Sequence, residues 1–247
     1  MSRLPRPAEH LGLTGQPPQP GQSGQSAPPA APGSVESLYP FIYSGTIDPD
    51  QVLAQARQST VAKTREIIDL RAEVRAKSGG LLISCAQEMT AKFAAGGRLL
   101  TFGNGGSATD AQELAALFMY PQGVATSLPS IGLASDVSVL TSLANDIGVE
   151  VVFSRQIAAF GRPGDIAFGL STSGNSENLL RAFDAAHKIG MMTVGMSGYD
   201  GGKMADIASL DYLFVAPSAS IHRIQEAQTT IYHILWELVV TELGQDR

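Results

Sequence analysis

The sequence predicts an α/β fold in which a parallel sheet is covered by helices on both faces. Three observations carry this. Short β-prone runs alternate with helical patterns from about residue 98 onward; strand–helix alternation implies parallel strands joined by helical crossovers. Two strand-to-helix junctions are rich in glycine or in hydroxyls, as expected where ligands meet the C-terminal ends of parallel strands. The 247 residues suffice for one such domain with a buried core, since 44% of them are hydrophobic.

Taken in order, residues 1–34 hold eight of the fourteen prolines, with Gly, Gln and Ser between them. Such a segment cannot bury enough apolar surface to offset its ordering entropy, so it is read as a disordered tail. The domain is placed over 35–247. Leu38-Tyr39-Pro40-Phe41-Ile42-Tyr43 is an aromatic patch. It is expected to pack on the body, with a pocket lip or a partner contact as the alternative. Asp48-Pro49 resembles an N-cap followed by proline in the first helical turn. A helix is expected from there to about Lys77, interrupted at Ser78-Gly79-Gly80, and a second to about Ala95.

Strands are expected at Arg98–Phe102, Ser130–Leu133, Asp165–Leu170, Met191–Met196 and Tyr212–Val215. Helices are expected near 107–119, 136–144, 150–160, 175–189 and 202–208, and a long apolar one over Ile221–Leu243.

Charge and composition exclude several functions. Seventeen Lys and Arg against 23 Asp and Glu give a net charge of −6, contrary to a general nucleic-acid binder, whose affinity rests on neutralising phosphates. No apolar run approaches the ~18–20 residues that span a membrane. One cysteine, Cys85, leaves no intrachain disulfide and no cysteine-based zinc finger. This fits a reducing compartment, and a cytoplasmic location is expected.

The first ligand loop is Gly103-Asn104-Gly105-Gly106-Ser107, directly after Leu99–Phe102. Its glycines permit positive φ and a close approach of backbone N–H groups. Ser107 falls at the start of the next helix, where amides and dipole favour an anion. The second is Ser171-Thr172-Ser173-Gly174-Asn175-Ser176, in which four hydroxyls surround a glycine at another helix start. Hydroxyls donate to phosphate oxygens without adding charge. Gly103-x-Gly105-x-x-Ala108 also satisfies the dinucleotide fingerprint, but nothing acidic lies between Glu113 and Asp136, where the ribose partner belongs. A dinucleotide enzyme is therefore the least favoured reading.

These loops, together with Asp110-Ala111-Gln112, Ala144-Asn145-Asp146, Gly161–Asp165, Asp200–Ala205 and Arg223-Ile224-Gln225-Glu226, resemble the sugar isomerase (SIS) domain family. Within it the chain is most similar to the sedoheptulose 7-phosphate, or phosphoheptose, isomerases. The resemblance implies an SIS-type three-layer sandwich with a five-stranded parallel sheet, a homotetramer, and a phosphorylated sugar as ligand. It implies substrate contacts at Asn104, Gly105, Gly106, Ser107, Asn145, Asp146 and Gln225. It implies phosphate contacts at Ser171, Thr172, Ser173 and Ser176. It also implies zinc near Gln225 and His233, with His233 as an acid–base group.

The sequence departs from that pattern on one side of the site. The family has a zinc-binding histidine where Glu113 stands, a glutamate serving as zinc ligand and base where Leu117 stands, and a basic residue near Pro121. Glu113 lies one helical turn before Leu117, on the same face. It is the candidate to replace the lost carboxylate, and Glu113, Gln225 and His233 are the candidate metal ligands. His222, Glu226 and His233 fall near one line of the last helix and form either a polar seam, the preferred reading, or an alternative acid–base stripe. Two functions follow as expectations: a ketose–aldose phosphate isomerase with a rebuilt catalytic group, or a non-catalytic phosphosugar sensor or scaffold that engages a protein partner.

Overall fold

A computed structural model describes residues 49–120 and 127–245. The proline-rich tail, the aromatic patch and Pro121 lie outside the described residues. The chain divides into Met1–Gln55 and a compact body, Ala56–Arg247. The described elements are α1 (Pro49–Ala94), β1 (Leu99–Gly103), α2 (Gly106–Met119), β2 (Ser130–Gly132), α3 (Val137–Asp146), α4 (Val152–Phe160), β3 (Ile166–Leu170), α5 (Glu177–Ile189), β4 (Met192–Gly198), β5 (Tyr212–Ala216) and α6 (Ile221–Gln245). Turns of 3-10 helix occupy Val149–Val151 and Gly202–Ala205. The sheet is parallel throughout, in the order β2-β1-β3-β4-β5.

The strands sort by burial. Every residue of β1, β3 and β4 is buried, whereas the edge strands β2 and β5 are only partly so. Central parallel strands covered on both faces carry near-continuous apolar runs, and these do. Side chains alternate between two cores. Leu99, Ile166, Phe168, Leu170, Val194 and Met196 face the core shared with α1, α2 and α6. Leu100, Phe102 and Ala167 face the core shared with α4 and α5. Gly169 leaves the space in which the Phe102 and Phe183 rings meet, their centroids 5.1 Å apart; a Cβ there would lie 2.4 Å from Phe183 Cζ.

Two expected boundaries are corrected. Ser78-Gly79-Gly80 does not interrupt α1, which runs unbroken for 46 residues. Leu70, Val74, Ser78, Leu82, Cys85, Ala86, Met89 and Phe93 are all buried. They form one stripe at helical spacing, and Ser78 sits in the middle of it. Two interior glycines cost about 1 kcal/mol each relative to Ala; packing on both sides of them outweighs that. The segment expected as helix near 202–208 is a four-residue 3-10 turn, because Gly201 and Gly202 both adopt positive φ, at +103° and +56°.

Among the described residues no helix is long and apolar enough to cross a membrane. At the foot of the sheet Asp165, 3% exposed, accepts from the Arg98 backbone N–H (2.9 Å), from Arg98 Nη2 (2.6 Å) and from the Arg162 N–H (3.0 Å). This carboxylate joins the entries of β1 and β3. Asp165→Ala leaves two amides without their acceptor and the Arg98 guanidinium with only the Phe160 carbonyl. It should lower unfolding free energy by about 3 kcal/mol in chemical denaturation, with little change in the denaturant slope.

Candidate active site

The strand order changes direction between β1 and β3. They are neighbours, paired in register from Leu99↔Ile166 to Gly103↔Leu170. The connections leaving them run to opposite sides of the sheet, and the crevice above their C-terminal ends is where such sheets bind ligands. The glycine loop leaves β1 there and the hydroxyl loop leaves β3. Both predicted loops therefore open at the same point.

The glycine loop is tightly built. A Cβ on Gly103 would lie 2.5 Å from the Ser107 carbonyl oxygen, so only glycine lets the chain fold back into α2. Gly105 caps α2 with φ +55° and ψ −124°, a conformation that disfavours any side chain, and open space lies above it. Ser107 is buried in the first turn of α2. Asn104 and Asn178 exchange two amide hydrogen bonds, each 2.9 Å, tying the glycine loop to the first turn of α5.

The hydroxyl loop is braced from within and from below. Ser171 Oγ accepts from the Gly174 N–H at 3.0 Å, and the Ser171 carbonyl accepts from Gln228 Nε2 at 2.7 Å. Ser173 Oγ accepts from the Asn175 N–H. The loop after β4 packs under it: the Lys203 N–H donates to Asn175 Oδ1, and the Met204 N–H to the Gly174 carbonyl. Within that second loop Tyr199 holds φ +52°, the one positive φ at a non-glycine among the described residues. Ser176 occupies the N-cap of α5 without making a side-chain capping bond. Its hydroxyl and the half-buried Thr172 border the helix start, where an anion is favoured.

Beside the glycine loop, α2 and α6 form a polar seam. Gln225 lies against Gly106, whose Cβ position is 2.5 Å from its Nε2, and donates to Asp110 Oδ2 at 3.1 Å. One turn further, Glu113 Oε2 accepts from Tyr232 Oη at 2.8 Å, and Glu113 Oε1 lies 3.3 Å from His233 Nε2. The Glu113 and His233 side chains are 49% and 37% exposed, so both remain open to a ligand. Burial raises the Asp110 carboxyl above its ordinary value; the Gln225 hydrogen bond opposes this and the Glu113 charge adds to it. Leu117 is partly buried and packs on the core.

As placed here, these donors do not converge in the way the zinc implied by the resemblance would require. Among the described residues no three His, Cys, Asp or Glu side chains gather as a metal cluster. Glu113 and His233 face each other, and Gln225 turns its amide nitrogen to Asp110. Four-coordinate zinc is built from convergent histidine, cysteine and carboxylate ligands.

Of the expected site residues, Asn104–Ser107 and Ser171–Ser176 meet at the crevice, and Gln225, Glu113 and His233 share the seam. Asn145 and Asp146 end α3 exposed; they hydrogen-bond each other at 2.8 Å, and among the described residues no hydrogen bond joins them to either loop. The stripe His222–Glu226–His233 does not assemble as one group: Glu226 pairs with Arg223, and His233 turns to Glu113. Sequence reading missed Asn178 and Tyr232. Asn178, two residues past the hydroxyl loop, carried a legible signal as a polar residue in a helix's first turn. Tyr232 did not, since an aromatic at helical spacing reads as core.

Comparison with known proteins places these features. Residues 64–198 match the family described as SIS domain. The phosphoheptose isomerase of Pelodictyon phaeoclathratiforme is 42% identical over 181 residues, covering 72% of this chain and 85% of that protein. That of Aquifex aeolicus is 48% identical over 145 residues, 58% of this chain and 75% of its own. A solved phosphoheptose isomerase from Neisseria gonorrhoeae superposes with a TM-score of 0.70 at 34% identity, covering 75% of this chain and 99% of that one.

Two outcomes follow from the geometry. Gly174 has φ +66°, and a Cβ there would lie 2.0 Å from the Gly201 carbonyl oxygen. Gly174→Ala should displace the hydroxyl loop and abolish the thermal stabilisation given by inorganic phosphate or a sugar phosphate. Asp110 is ionised less readily when folded, so its charge lowers stability once pH exceeds its unfolded pKa of about 3.9. Asp110→Asn should raise the Tm at pH 7, and the gain should fade toward pH 4.

Proposed function

Because this chain belongs to the SIS-domain family, among relatives named phosphoheptose isomerase, we propose that it isomerises a ketose phosphate such as sedoheptulose 7-phosphate to an aldose phosphate. The observation that supports this most is the carboxylate–imidazole pair of Glu113 and His233 beside two intact ligand loops at one crevice.

In this reading the phosphate rests on the Thr172, Ser173 and Ser176 hydroxyls and the amides at the start of α5. Ser171, whose Oγ is taken up by the Gly174 N–H, shapes the loop and shares the site. Asn104 and the amides around Gly105 and Gly106 hold sugar hydroxyls, with Gln225 closing the opposite wall. Asn145 and Asp146 belong to the site only if α3 meets the sugar from its exposed end.

The chemistry is proton transfer between adjacent carbons. The Glu113 carboxylate takes a proton from C1 of the ketose while His233 gives one to the C2 carbonyl oxygen, leaving an enediol. His233 then takes the proton of the C1 hydroxyl, and Glu113 returns its proton to C2. The aldose forms, and both side chains regain their starting states. A positioned base within hydrogen-bond reach of the carbon acid contributes ~10²–10⁴-fold. In this reading no metal takes part; zinc held by Glu113, Gln225 and His233 is the competing expectation. The reading carries a homotetramer as well, supported by Ile83, Ile234 and Leu238, apolar side chains left exposed along α1 and α6.

Leu117 favours a second reading, a binding module with the phosphate loops kept and the chemistry lost, presenting its surface to a protein partner. Its packing on the core removes the carboxylate that the family pattern places there.

Coupled turnover of sedoheptulose 7-phosphate separates the two. Turnover should be measurable, unchanged by a chelator, and reduced at least ~10²-fold by His233→Ala and by Glu113→Gln. Loss of turnover on chelation would restore zinc to the site. Absence of turnover with thermal stabilisation by the sugar phosphate retained would establish the binding module.

A further inference from the structure

Tyr232 is fully buried, one of the largest side chains sealed in the core, and it directly precedes His233 in α6. A phenylalanine would fill the same space without a polar group to satisfy. A buried hydroxyl costs free energy unless it is bonded, so its presence has to be accounted for by what it touches. It donates to Glu113 Oε2 at 2.8 Å. The acceptor is not a buried group in need of rescue: the Glu113 side chain is 49% exposed and would be hydrated without it. What the bond supplies is position.

The geometry makes that position consequential. Glu113 has two carboxylate oxygens; Tyr232 engages one and His233 Nε2 approaches the other. The Tyr232 and His233 rings stack, centroids 5.2 Å apart and planes 27° from parallel. Trp236 and His233 meet in a T-shaped contact, centroids 6.4 Å apart. Without its phenolic partner the Glu113 carboxylate keeps only the 3.3 Å approach of His233, and its terminal torsions can turn it toward water. Neither Asp110 nor Gln225 replaces the tether, because they bond each other.

We propose that Tyr232 is a positioning residue that holds the Glu113 carboxylate against His233, forming a Tyr–Glu–His relay in the place where the resemblance implies a metal. The inference rests on the isomerase reading for its effect on rate, and on the hydrogen-bond geometry alone for its effect on His233.

The test uses Tyr232→Phe, which keeps the ring, the stack and the core volume, with Glu113→Gln beside it. Two readouts are taken on the full chain. The first is a ring N–H proton of His233, slowed in exchange by its carboxylate partner, seen in ¹H–¹⁵N spectra and assigned by its loss in His233→Ala. It is expected in the native protein and should broaden or vanish in both variants, while the Tm of Tyr232→Phe stays within a few degrees. The second is turnover: kcat should fall about 10-fold in Tyr232→Phe with KM within about two-fold, since misplacing a catalytic group acts on the chemical step. A His233 signal absent from the native protein, or unchanged in Tyr232→Phe, overturns the proposal whatever the rates. A changed signal in a protein that never turns over sugar phosphate keeps the relay and removes the isomerase reading.

Discussion

The molecule depends on one pairing, that of β1 with β3 at the centre of the sheet. Parallel strands need crossovers, and the crossovers on either side of this pair leave to opposite faces. The two chain segments that depart from the sheet at this point therefore start a strand's width apart, about 4.8 Å. Everything chemical follows from that spacing. The backbone-rich loop and the hydroxyl-rich loop face one crevice because they have nowhere else to emerge. Asn104 and Asn178 then fasten them with a reciprocal amide pair, and at the other end of the strands Asp165 fastens the entries.

The second half of the site hangs on this frame through α2. That helix starts at the glycine loop, so its phase about its own axis is set by Gly105 and Gly106. Positions 110, 113 and 117 follow at helical spacing. The first two face the polar residues of α6, and Leu117 reaches the core. Moving a carboxylate from position 117 to 113 is thus a shift of one helical turn, about 6 Å along the axis. Under the proposed isomerase reading, such a shift would relocate the proton acceptor relative to the phosphate. In that reading, a substrate suited to it would have its reacting carbons at a correspondingly different distance from the phosphate, or would bend to bring them there.

Much of this was legible in the sequence. The strand–helix alternation, the five strands and the two loops read directly, because glycines and hydroxyls at strand ends have few purely structural explanations. What could not be read arose from long-range packing. Ser78-Gly79-Gly80 reads as a break by local propensity, yet a buried stripe continues through it on both sides. Gly201-Gly202 reads as the opening of a helix, yet both need positive φ to pass beneath the hydroxyl loop. Tyr232 is indistinguishable from core in a linear pattern, since only the fold brings Glu113, 119 residues away, to its hydroxyl. Asn145 and Asp146 show the reverse case: the resemblance implies them in the site, and among the described residues their side chains hydrogen-bond each other and neither loop.

The hydroxyl loop, Ser171–Ser176, contains no lysine or arginine, and the whole chain carries a net charge of −6. In the phosphosugar reading, a dianionic ligand would meet a net-negative protein at long range and, at the loop itself, amides and hydroxyls that hold it on contact. Encounter is then unsteered, slower than diffusion guided by opposite charge, and is helped by added salt where a cationic site would be hindered. With no cation of its own, the loop would also hold departing product less firmly. Such a loop would suit rapid exchange of a plentiful ligand over capture of a scarce one.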